Sequence, residues 1–378
     1  MHSISDGERP FADGLGEGLR FSECEGAAPS DPVGMLPGRK MIKNPAISVV
    51  VCTHNRAALL NQALESLIAQ TLDRSQFEMI IVNNCSTDDT AAVVERYKAH
   101  GAGGVLLRLV DEPMLGLGHA RNTGWRAAQG DYVAFMDDDA KADAHWLERA
   151  LDLIRHHPTT PVAIGGQIRP LYVSPKPDWY KDEYEVRSWG QGSRRLVTGE
   201  SFSGSNMIVS KAILHLLNGF DASVGMRGER VSMGEETVLF GKIWHALGDQ
   251  AVLVYSPDLV VYHAVGKHNM HLRYHLRRWF VAGQVACRLD APSSVHNRIA
   301  RLRANVTTIR TLIRSAVAER KHFSDYRPWI VEHLGPVALE IGRLLACIGL
   351  HIPVRRANLS AELKAAGKSG RGHSVEAV

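Results

Sequence analysis

Three consecutive carboxylates, Asp137, Asp138 and Asp139, directly follow the apolar run of residues 132–136. Adjacent carboxylates repel one another, so the ionised cluster is unfavourable unless a cation compensates its charge. A divalent ion such as Mn²⁺ or Mg²⁺ would do so, and it would keep open coordination positions for the phosphates of a substrate. The alternative is an acidic helix cap, because aspartate is common at helix N-termini. The position directly after a buried run favours the metal site over the cap.

The segments around the triplet alternate between two apolar patterns. Continuous apolar runs predict buried strands at residues 47–52, 77–82, 105–110, 132–136 and 162–168. Helical spacing of apolar residues predicts helices at residues 59–72, 87–100, 119–129 and 144–156. This alternation predicts an α/β fold, with a Rossmann-like, mostly parallel sheet flanked by helices. Ligands of such sheets bind beyond the carboxyl ends of the strands, where the triplet lies.

The composition is that of a globular protein with little net charge. The chain has 378 residues, 45% of them apolar, and a net charge of +4 from 44 Lys and Arg against 40 Asp and Glu. This balance does not require a nucleic-acid partner, and we expect none. The five cysteines are odd in number and lack CxxC spacing, which argues against disulfides or a zinc cluster and favours a reducing cytoplasm. The first ten residues lack the basic start and apolar run of a secretory signal.

Four regions follow from the distribution of residue types. Residues 1–44, rich in Gly, Pro, Asp, Glu and Ser, predict a flexible leader, and residues 357–378 predict a flexible tail. Residues 45–265 predict the α/β domain, and residues 266–356 a basic helical C-terminal appendage. Between residues 267 and 327, thirteen Lys and Arg stand against three Asp and Glu. This basic region is either a solvated face or a surface that docks on anionic lipid at the inner face of the cell membrane.

Five short segments in order resemble the family 2 glycosyltransferases of the GT-A fold. They are PAISVVVCTHNR, EMIIVNNCSTDDT, GLGHARNTGWRAAQGDYVAFMDDD, SGSNM and GEET, and the resemblance covers residues 45–263. It implies an inverting enzyme of the bacterial polysaccharide or glycolipid type. Such an enzyme moves a sugar from a nucleotide diphosphate donor to a hydroxyl of a glycan or lipid-linked acceptor, with Mn²⁺ or Mg²⁺ as cofactor. The resemblance also favours a cytoplasmic protein, either free or peripheral to the membrane.

The resemblance assigns the nucleotide to the first two strand ends and to the helix before the triplet. Thr53, Asn55 and Arg56 are similar to the turn that contacts the base and ribose, although a helix cap explains Thr53 or Asn55 equally well. Asn83 stands where the family commonly has an aspartate that accepts a hydrogen bond from the base. An amide oxygen accepts the same bond without a charge, so a UDP-sugar is favoured. Arg121 is placed near the base or diphosphate, with a surface arginine salt-bridged to a neighbouring acid as the alternative.

Within the triplet, the resemblance makes Asp139 the first metal ligand, and it divides further metal and ribose contacts between Asp137 and Asp138. His263 matches a histidine that completes the metal and diphosphate site in many GT-A enzymes, although a lone histidine is more often structural. A loop of small residues resembles the one that lines the donor sugar, where glycine permits close approach of the backbone. That loop consists of Gly204, Ser205 and Asn206.

Glu236 corresponds to the acid that serves as catalytic base in the family, with Glu235 as its rival. An inverting transfer needs a carboxylate that accepts the proton of the acceptor hydroxyl as this hydroxyl attacks. Both glutamates could instead simply begin a helix. The acid that the family often has two residues beyond the base is replaced by valine. A non-catalytic nucleotide-sugar-binding or assembly protein of the same fold is therefore the alternative function.

Overall fold

The computed structural model describes residues 44–226, 230–231, 233–289 and 295–355. The predicted leader, apart from Asn44, and the predicted tail lie outside the described residues. The described residues all belong to one compact unit. The predicted border between residues 265 and 266 directly follows the strand that ends at Val265, and as a domain border it stays a prediction. Among the described helices, none is long and apolar enough to cross a membrane.

A nine-stranded sheet forms the centre of the described part of the chain. Its strands are β1 (Ile47–Thr53), β2 (Phe77–Asn84), β3 (Leu106–Glu112), β4 (Tyr132–Asp137), β5 (Ala140–Ala142), β6 (Ala163–Tyr172), β7 (Arg194–Arg195), β8 (Met207–Ser210) and β10 (Leu253–Val265). The order is β3-β2-β1-β4-β8-β6-β10-β5, with β7 paired to β10. Only β5, β7 and β8 pair antiparallel among these strands, so the mostly parallel α/β sheet is confirmed. β9 (Arg230–Val231) and β11 (Val354–Arg355) form a separate pair.

Helices cover both faces of the sheet, as β1 illustrates. Successive side chains of a strand point to opposite faces. Val49 and Val51 pack in an apolar cluster with α1 and α4, whereas Val50 packs in a second cluster with α3 and α6. The helices are α1 (Ala57–Ile68), α2 (Thr90–Ala99), α3 (Leu117–Ala127), α4 (Trp146–His156), α5 (Lys211–Leu216) and α6 (Glu235–Leu247). A strand buried on both faces requires a continuous apolar run, which is the pattern seen in the sequence.

The basic C-terminal region is helical, as predicted. It contains α7 (Leu272–Leu289), α8 (Val295–Glu319), α9 (Tyr326–Trp329), a π-helical segment (Ile330–Leu334) and α10 (Gly335–Cys347). Glycines allow α7 and α10 to approach closely. A Cβ added at Gly283 of α7 would lie 1.8 Å from the Leu339 carbonyl oxygen, and one added at Gly342 of α10 would lie 2.1 Å from the Phe280 carbonyl oxygen. The two backbones therefore touch without an intervening side chain.

Candidate active site

The triplet forms the turn between β4 and β5. Asp137 is the last residue of β4, and β5 begins at Ala140. β5 pairs with the end of β10, with Ala140 opposite His263. The backbone N–H of Ala264 donates to the carbonyl of Asp139 at 2.8 Å. This strand pairing carries His263 to the triplet, although the two are far apart in the sequence.

Asp137, Asp139 and His263 each offer one ligand atom, and these atoms lie within 4.8 Å of one another. The imidazole Nε2 of His263 is 3.2 Å from Oδ1 of Asp139. Carboxylate ligands suit hard ions such as Mg²⁺ and Mn²⁺, whereas imidazole suits softer transition metals. The structure thus brings together the three residues that the sequence assigned to a metal, in a donor set that fits a divalent ion.

Arg56 compensates the charge of the triplet from the opposite side. Its Nη1 donates to Oδ1 of Asp138 at 2.6 Å and to Oδ2 of Asp139 at 2.8 Å. Burial raises the pKa of Asp138 to about 6, although Arg56 opposes the shift. Burial also acts to raise the pKa of Asp139, but the charges of His263 and Arg56 hold it well below its usual range. Arg56, which was predicted to contact the nucleotide, therefore forms ion pairs with Asp138 and Asp139.

His263 takes up a charge in this arrangement. Burial acts to lower the pKa of His263, but the Asp139 carboxylate raises it to about 9. The protonated imidazole therefore pairs with Asp139 near neutral pH. As a metal ligand His263 would have to be neutral, so metal binding here would release that proton.

Arg121 is the second cation of the site and is almost completely buried, with 3% of its surface exposed. Its Nη1 lies 3.2 Å from Oε1 of Glu235, and its Nη2 lies 3.5 Å from Oδ1 of Asp137. The guanidinium also lies over the ring of Phe220, 5.5 Å from the ring centroid. A Cβ added at Gly204 would lie 2.2 Å from Nη2 of Arg121. Arg121 is therefore paired with neighbouring acids, as the alternative had it, but it is buried and does not lie at the surface. The group that approaches Gly204 closely is this guanidinium.

Glu235 and Glu236 begin α6 but face different surroundings. Gly234 precedes them in the left-handed conformation, with a φ of 104°. The Glu235 side chain is 4% exposed, and burial together with the neighbouring Glu236 carboxylate raises its pKa to about 7. The Glu236 side chain is 23% exposed and lines the cavity that Asp137 and His263 also line. Of the two glutamates, Glu236 is thus the one open to a substrate.

The predicted loop for the donor sugar lies beside β4. Ser205 lines the same cavity as Asp137, together with Ser203. Asn206 is completely buried, and its amide nitrogen donates to the carbonyls of Gln167 and Leu259. Its amide oxygen accepts a bond from the Trp146 indole at 3.0 Å. Asn206 therefore ties β8 to its neighbours, and its predicted contact with a ligand stays a prediction.

The predicted base-binding residues meet at the ends of β1 and β2, where Thr53 lies opposite Asn83. Asn55 adopts a positive φ of 55°, and its side-chain oxygen accepts a bond from the Thr87 N–H at 2.7 Å. This bond ties the turn after β1 to the segment before α2 and is not a helix cap, because the N-cap residues of α1 and α2 are Arg56 and Asp89. The amide nitrogen of Asn83 donates to Oδ1 of Asp111 at 2.8 Å.

Asp111, near the end of β3, is a residue that the sequence interpretation missed. The rule that places ligands at the carboxyl ends of parallel strands applies to β3 as it does to β4, so it could have identified Asp111 as a candidate. Asp111 is exposed beside Asn83, so a carboxylate stands next to the position where the family commonly has one.

A cavity of about 1200 Å³ extends from this site towards the C-terminal helices. Asp137, Ser205, Glu236 and His263 line one end of it. The first two turns of α7 and residues from β6 and the following loop line the rest. Ligand pockets commonly measure about 300–1000 Å³, so this cavity has room for more than a single sugar.

Comparison with known proteins gives a consistent result. Residues 48–209 match the model of the family described as glycosyl transferase family 2. A glucosyl-dolichyl phosphate glucuronosyltransferase of Haloferax volcanii is 26% identical over 245 residues, which cover 63% of this chain and 75% of that protein. The succinoglycan biosynthesis protein ExoM of Rhizobium meliloti is 28% identical over 250 residues, which cover 65% of this chain and 75% of that protein.

A solved structure shares the fold. It is that of the mannosyltransferase PcManGT of Pyrobaculum calidifontis in complex with GDP-mannose and Mn²⁺. The TM-score is 0.53 at 21% identity, and the match covers 80% of this chain and 88% of the other. At this identity the likeness supports the GT-A fold.

Proposed function

The chain belongs to glycosyl transferase family 2, and on that premise we propose that it is a metal-dependent inverting enzyme. It moves a sugar from a nucleotide diphosphate donor to a hydroxyl of a glycan or lipid-linked acceptor. One observation carries this proposal: Asp137, Asp139 and His263 converge at the sheet edge, and they share a cavity with Glu236. A potential metal site and a carboxylate base beside one cavity are what such a transfer requires. Glycosyltransferases are enzymes, so family membership favours catalysis over a non-catalytic binding role.

Asp137, Asp139 and His263 would hold the metal ion. When bound, such an ion offsets the negative charge that develops on the leaving diphosphate. Mg²⁺ prefers oxygen ligands alone, whereas Mn²⁺ also accepts imidazole. We therefore favour Mn²⁺ over Mg²⁺ in this site, and the mannosyltransferase of the same fold also binds Mn²⁺.

Glu236 accepts the proton of the acceptor hydroxyl in this mechanism. Its side chain faces the cavity, whereas the Arg121 guanidinium fixes Glu235 beneath it. Arg121 also lies 3.8 Å from Oε2 of Glu236. This cation lies close enough to hold the Glu236 carboxylate in place, and a base must be positioned within reach of the proton that it accepts. Arg121 therefore acts as a positioning residue for both glutamates.

The donor base is read, in this proposal, by the amide of Asn83 and the carboxylate of Asp111. A carboxylate accepts the imide N–H of uracil, and it also accepts the N–H donors of guanine. UDP-sugars remain the favoured donors on the resemblance of Asn83, and a GDP-sugar is the alternative. The bound GDP-mannose of the structurally similar enzyme makes that alternative worth testing.

We also propose that the enzyme serves cell-surface polysaccharide or glycolipid assembly on the cytoplasmic side of the membrane. Its relatives include a succinoglycan biosynthesis protein and a glucosyl-dolichyl phosphate glucuronosyltransferase, whose names indicate a polysaccharide and a lipid-linked sugar. α8 exposes Arg310 and Arg314 together with Ile313 and Val317, a mixture that suits an anionic membrane surface. Flotation with vesicles of phosphatidylglycerol should recover the protein at low salt, and failure to float there removes the membrane contact.

Turnover of nucleotide sugars tests the proposed function. The purified full-length chain with Mn²⁺ should release nucleoside diphosphate from one donor of a radiolabelled panel. Glu236→Gln should lower turnover by about 100-fold or more, because proton transfer is lost, while donor affinity is retained. Glu95→Gln, an exposed pair partner of Lys98 on α2, is the control and should change neither. Undiminished turnover in Glu236→Gln would reassign the base, and absence of any donor binding would reject the function.

A further inference from the structure

The cavity continues well beyond the residues that the proposed transfer uses. Its far wall is lined by apolar side chains from four parts of the chain. These are Ile168 on β6, Pro175 and Trp179 in the following loop, Met233 before α6, and Met270 and Leu272 at the start of α7. A sugar hydroxyl gains little from such a wall, whereas a hydrocarbon chain gains about 25 cal/mol for each Å² of apolar surface buried.

Cations border this apolar wall. Lys267, Arg273 and Arg277 line the cavity and are exposed. No carboxylate of the described residues forms an ion pair with any of the three. Arg273 and Arg277 are four residues apart on α7, so they lie on one face of the helix. Three unneutralised cations on one wall attract an anion, and arginine in particular pairs with phosphate through two parallel hydrogen bonds.

Two further arginines of the wall are held in place by the protein. Arg278 pairs with the buried Glu185 at 3.2 Å, and Tyr180 donates to the same carboxylate at 2.6 Å. Arg327 pairs with Asp325 at 2.7 Å and lies over the ring of Trp179, 5.4 Å from its centroid. Arg278 thus ties the loop after β6 to α7, and Arg327 ties the same loop to α9, so this part of the cavity has a defined shape.

We infer that the acceptor is an amphiphile whose phosphate or diphosphate binds Lys267, Arg273 and Arg277 while its hydrocarbon chain lies along the apolar wall. This inference rests on the proposed function, because it names the acceptor of the same transfer. The acceptor hydroxyl then lies between the phosphate and the Glu236 carboxylate. An anchored phosphate orients the acceptor and reduces the entropy lost on reaching the reactive geometry.

The donor diphosphate belongs at the other end of the cavity, where Asp137, Asp139 and His263 would hold the metal ion. Lys267, Arg273 and Arg277 belong instead to the turn before α7 and to α7 itself, on the wall that also carries the apolar side chains. An anion with an attached hydrocarbon matches both features at once.

Calorimetric titration of the full-length protein with Mn²⁺ present tests the inference. The ligands are farnesyl phosphate below its micellar concentration, farnesol, inorganic phosphate and glucose 6-phosphate. Farnesyl phosphate should bind at least about tenfold more tightly than each of the other three, because only it offers both features. The double substitution Arg273→Gln/Arg277→Gln should weaken its binding about tenfold or more. Arg96→Gln/Lys98→Gln, an exposed pair of cations on α2 away from the cavity, is the control and should leave it unchanged.

Several results would overturn the inference. If farnesol binds as tightly as farnesyl phosphate, the protein does not recognise the phosphate. If glucose 6-phosphate binds as tightly, the protein does not recognise the hydrocarbon chain. An equal loss of affinity in the control variant would show that the charges attract the ligand non-specifically. Absence of farnesyl phosphate binding also rejects it. UDP and GDP titrations of the same preparations separate this inference from the proposed function. If nucleotide binding weakens as much as farnesyl phosphate binding in the double variant, the cations serve the donor; if wild-type protein binds neither nucleotide, the proposed function itself fails.

Discussion

The two ends of the cavity differ in whether their charged side chains form ion pairs. At the sheet edge, carboxylates of the triplet and of α6 pair with Arg56, His263 and the buried Arg121 at 2.6–3.5 Å. At the α7 end, the cations Lys267, Arg273 and Arg277 have no ion-pair partner among the described residues. The first end is organised before any ligand arrives, and removal of one partner there strands a buried charge. The second end contributes nothing to the fold through its free cations, so they remain available for a ligand.

The largest effect that this comparison predicts follows removal of a buried cation. Arg121→Met leaves Glu235 and Asp137 without their partner, and it should destabilise the protein by about 3–5 kcal/mol. Arg126→Met is the control on the same helix, since Arg126 is exposed and lies over the ring of Trp125. It should change stability by less than about 1 kcal/mol. Urea unfolding measures both changes. Equal losses of stability would show that the ion pairs of Arg121 stabilise the protein no more than the exposed Arg126 does.

The packing of α7 against α10 holds the second end in place and gives the next effect. Gly283→Ala puts a Cβ into the Leu339 carbonyl, so the helices must separate, at about 2–3 kcal/mol. Gly241→Ala on α6 is the matched control, because Gly241 is helical and nothing lies within 4 Å of an added Cβ. It should stabilise the protein by about 0.5–1 kcal/mol, because alanine favours the helix. Opposite shifts of the melting temperature are expected, and a shift of the same sign in both would contradict the close crossing.

The buried Glu235 predicts a pH effect that the α7 end lacks. Burial and the Glu236 carboxylate raise its pKa from the ordinary 4.5 to about 7, with Arg121 opposing them. Between these values the folded state binds more protons than the unfolded state, so this group makes stability fall as pH rises. Glu235→Gln should remove that component, on the order of 2 kcal/mol between pH 5 and pH 8. The measurement is the free energy of unfolding of wild type and variant at several pH values in this range. If both change by the same amount with pH, Glu235 does not titrate there.

The smallest effect is expected at the free cations. Arg273→Gln and Arg277→Gln remove exposed side chains without an ion pair, so each should change the free energy of unfolding by less than about 0.5 kcal/mol. Thermal unfolding in the absence of ligand measures this. A loss above about 1 kcal/mol in either variant would show that the arginine stabilises the fold, which would contradict the proposed difference between the two ends.

Local sequence patterns predicted much of the fold and part of the site. The apolar runs predicted β1 to β4 and the helices between them, because strands buried on both faces must be apolar throughout. The triplet was assigned to the carboxyl end of a strand for the same reason, and β4 does end at Asp137.

The remaining features depend on long-range pairing. β5 has three residues and forms because it pairs with β10, and the same pairing brings His263 to Asp139. The short strand β8 is apolar (Met207–Ser210) and lies between β4 and β6, a place in the sheet that no local pattern indicates. The partners of Arg121 and the proximity of Asp111 to Asn83 are likewise set by the register of distant strands.

Binding of Mn²⁺ tests the central claim most directly. Electron paramagnetic resonance of free Mn²⁺ during titration should show one ion bound per chain in the presence of UDP or GDP. Asp139→Asn should weaken that binding about 100-fold or more, since a carboxylate ligand is lost, and His263→Ala about tenfold or more. Asp131→Asn, at the exposed opposite end of the same strand, should leave it unchanged. Mn²⁺ binding that persists unaltered in Asp139→Asn and His263→Ala would contradict the account.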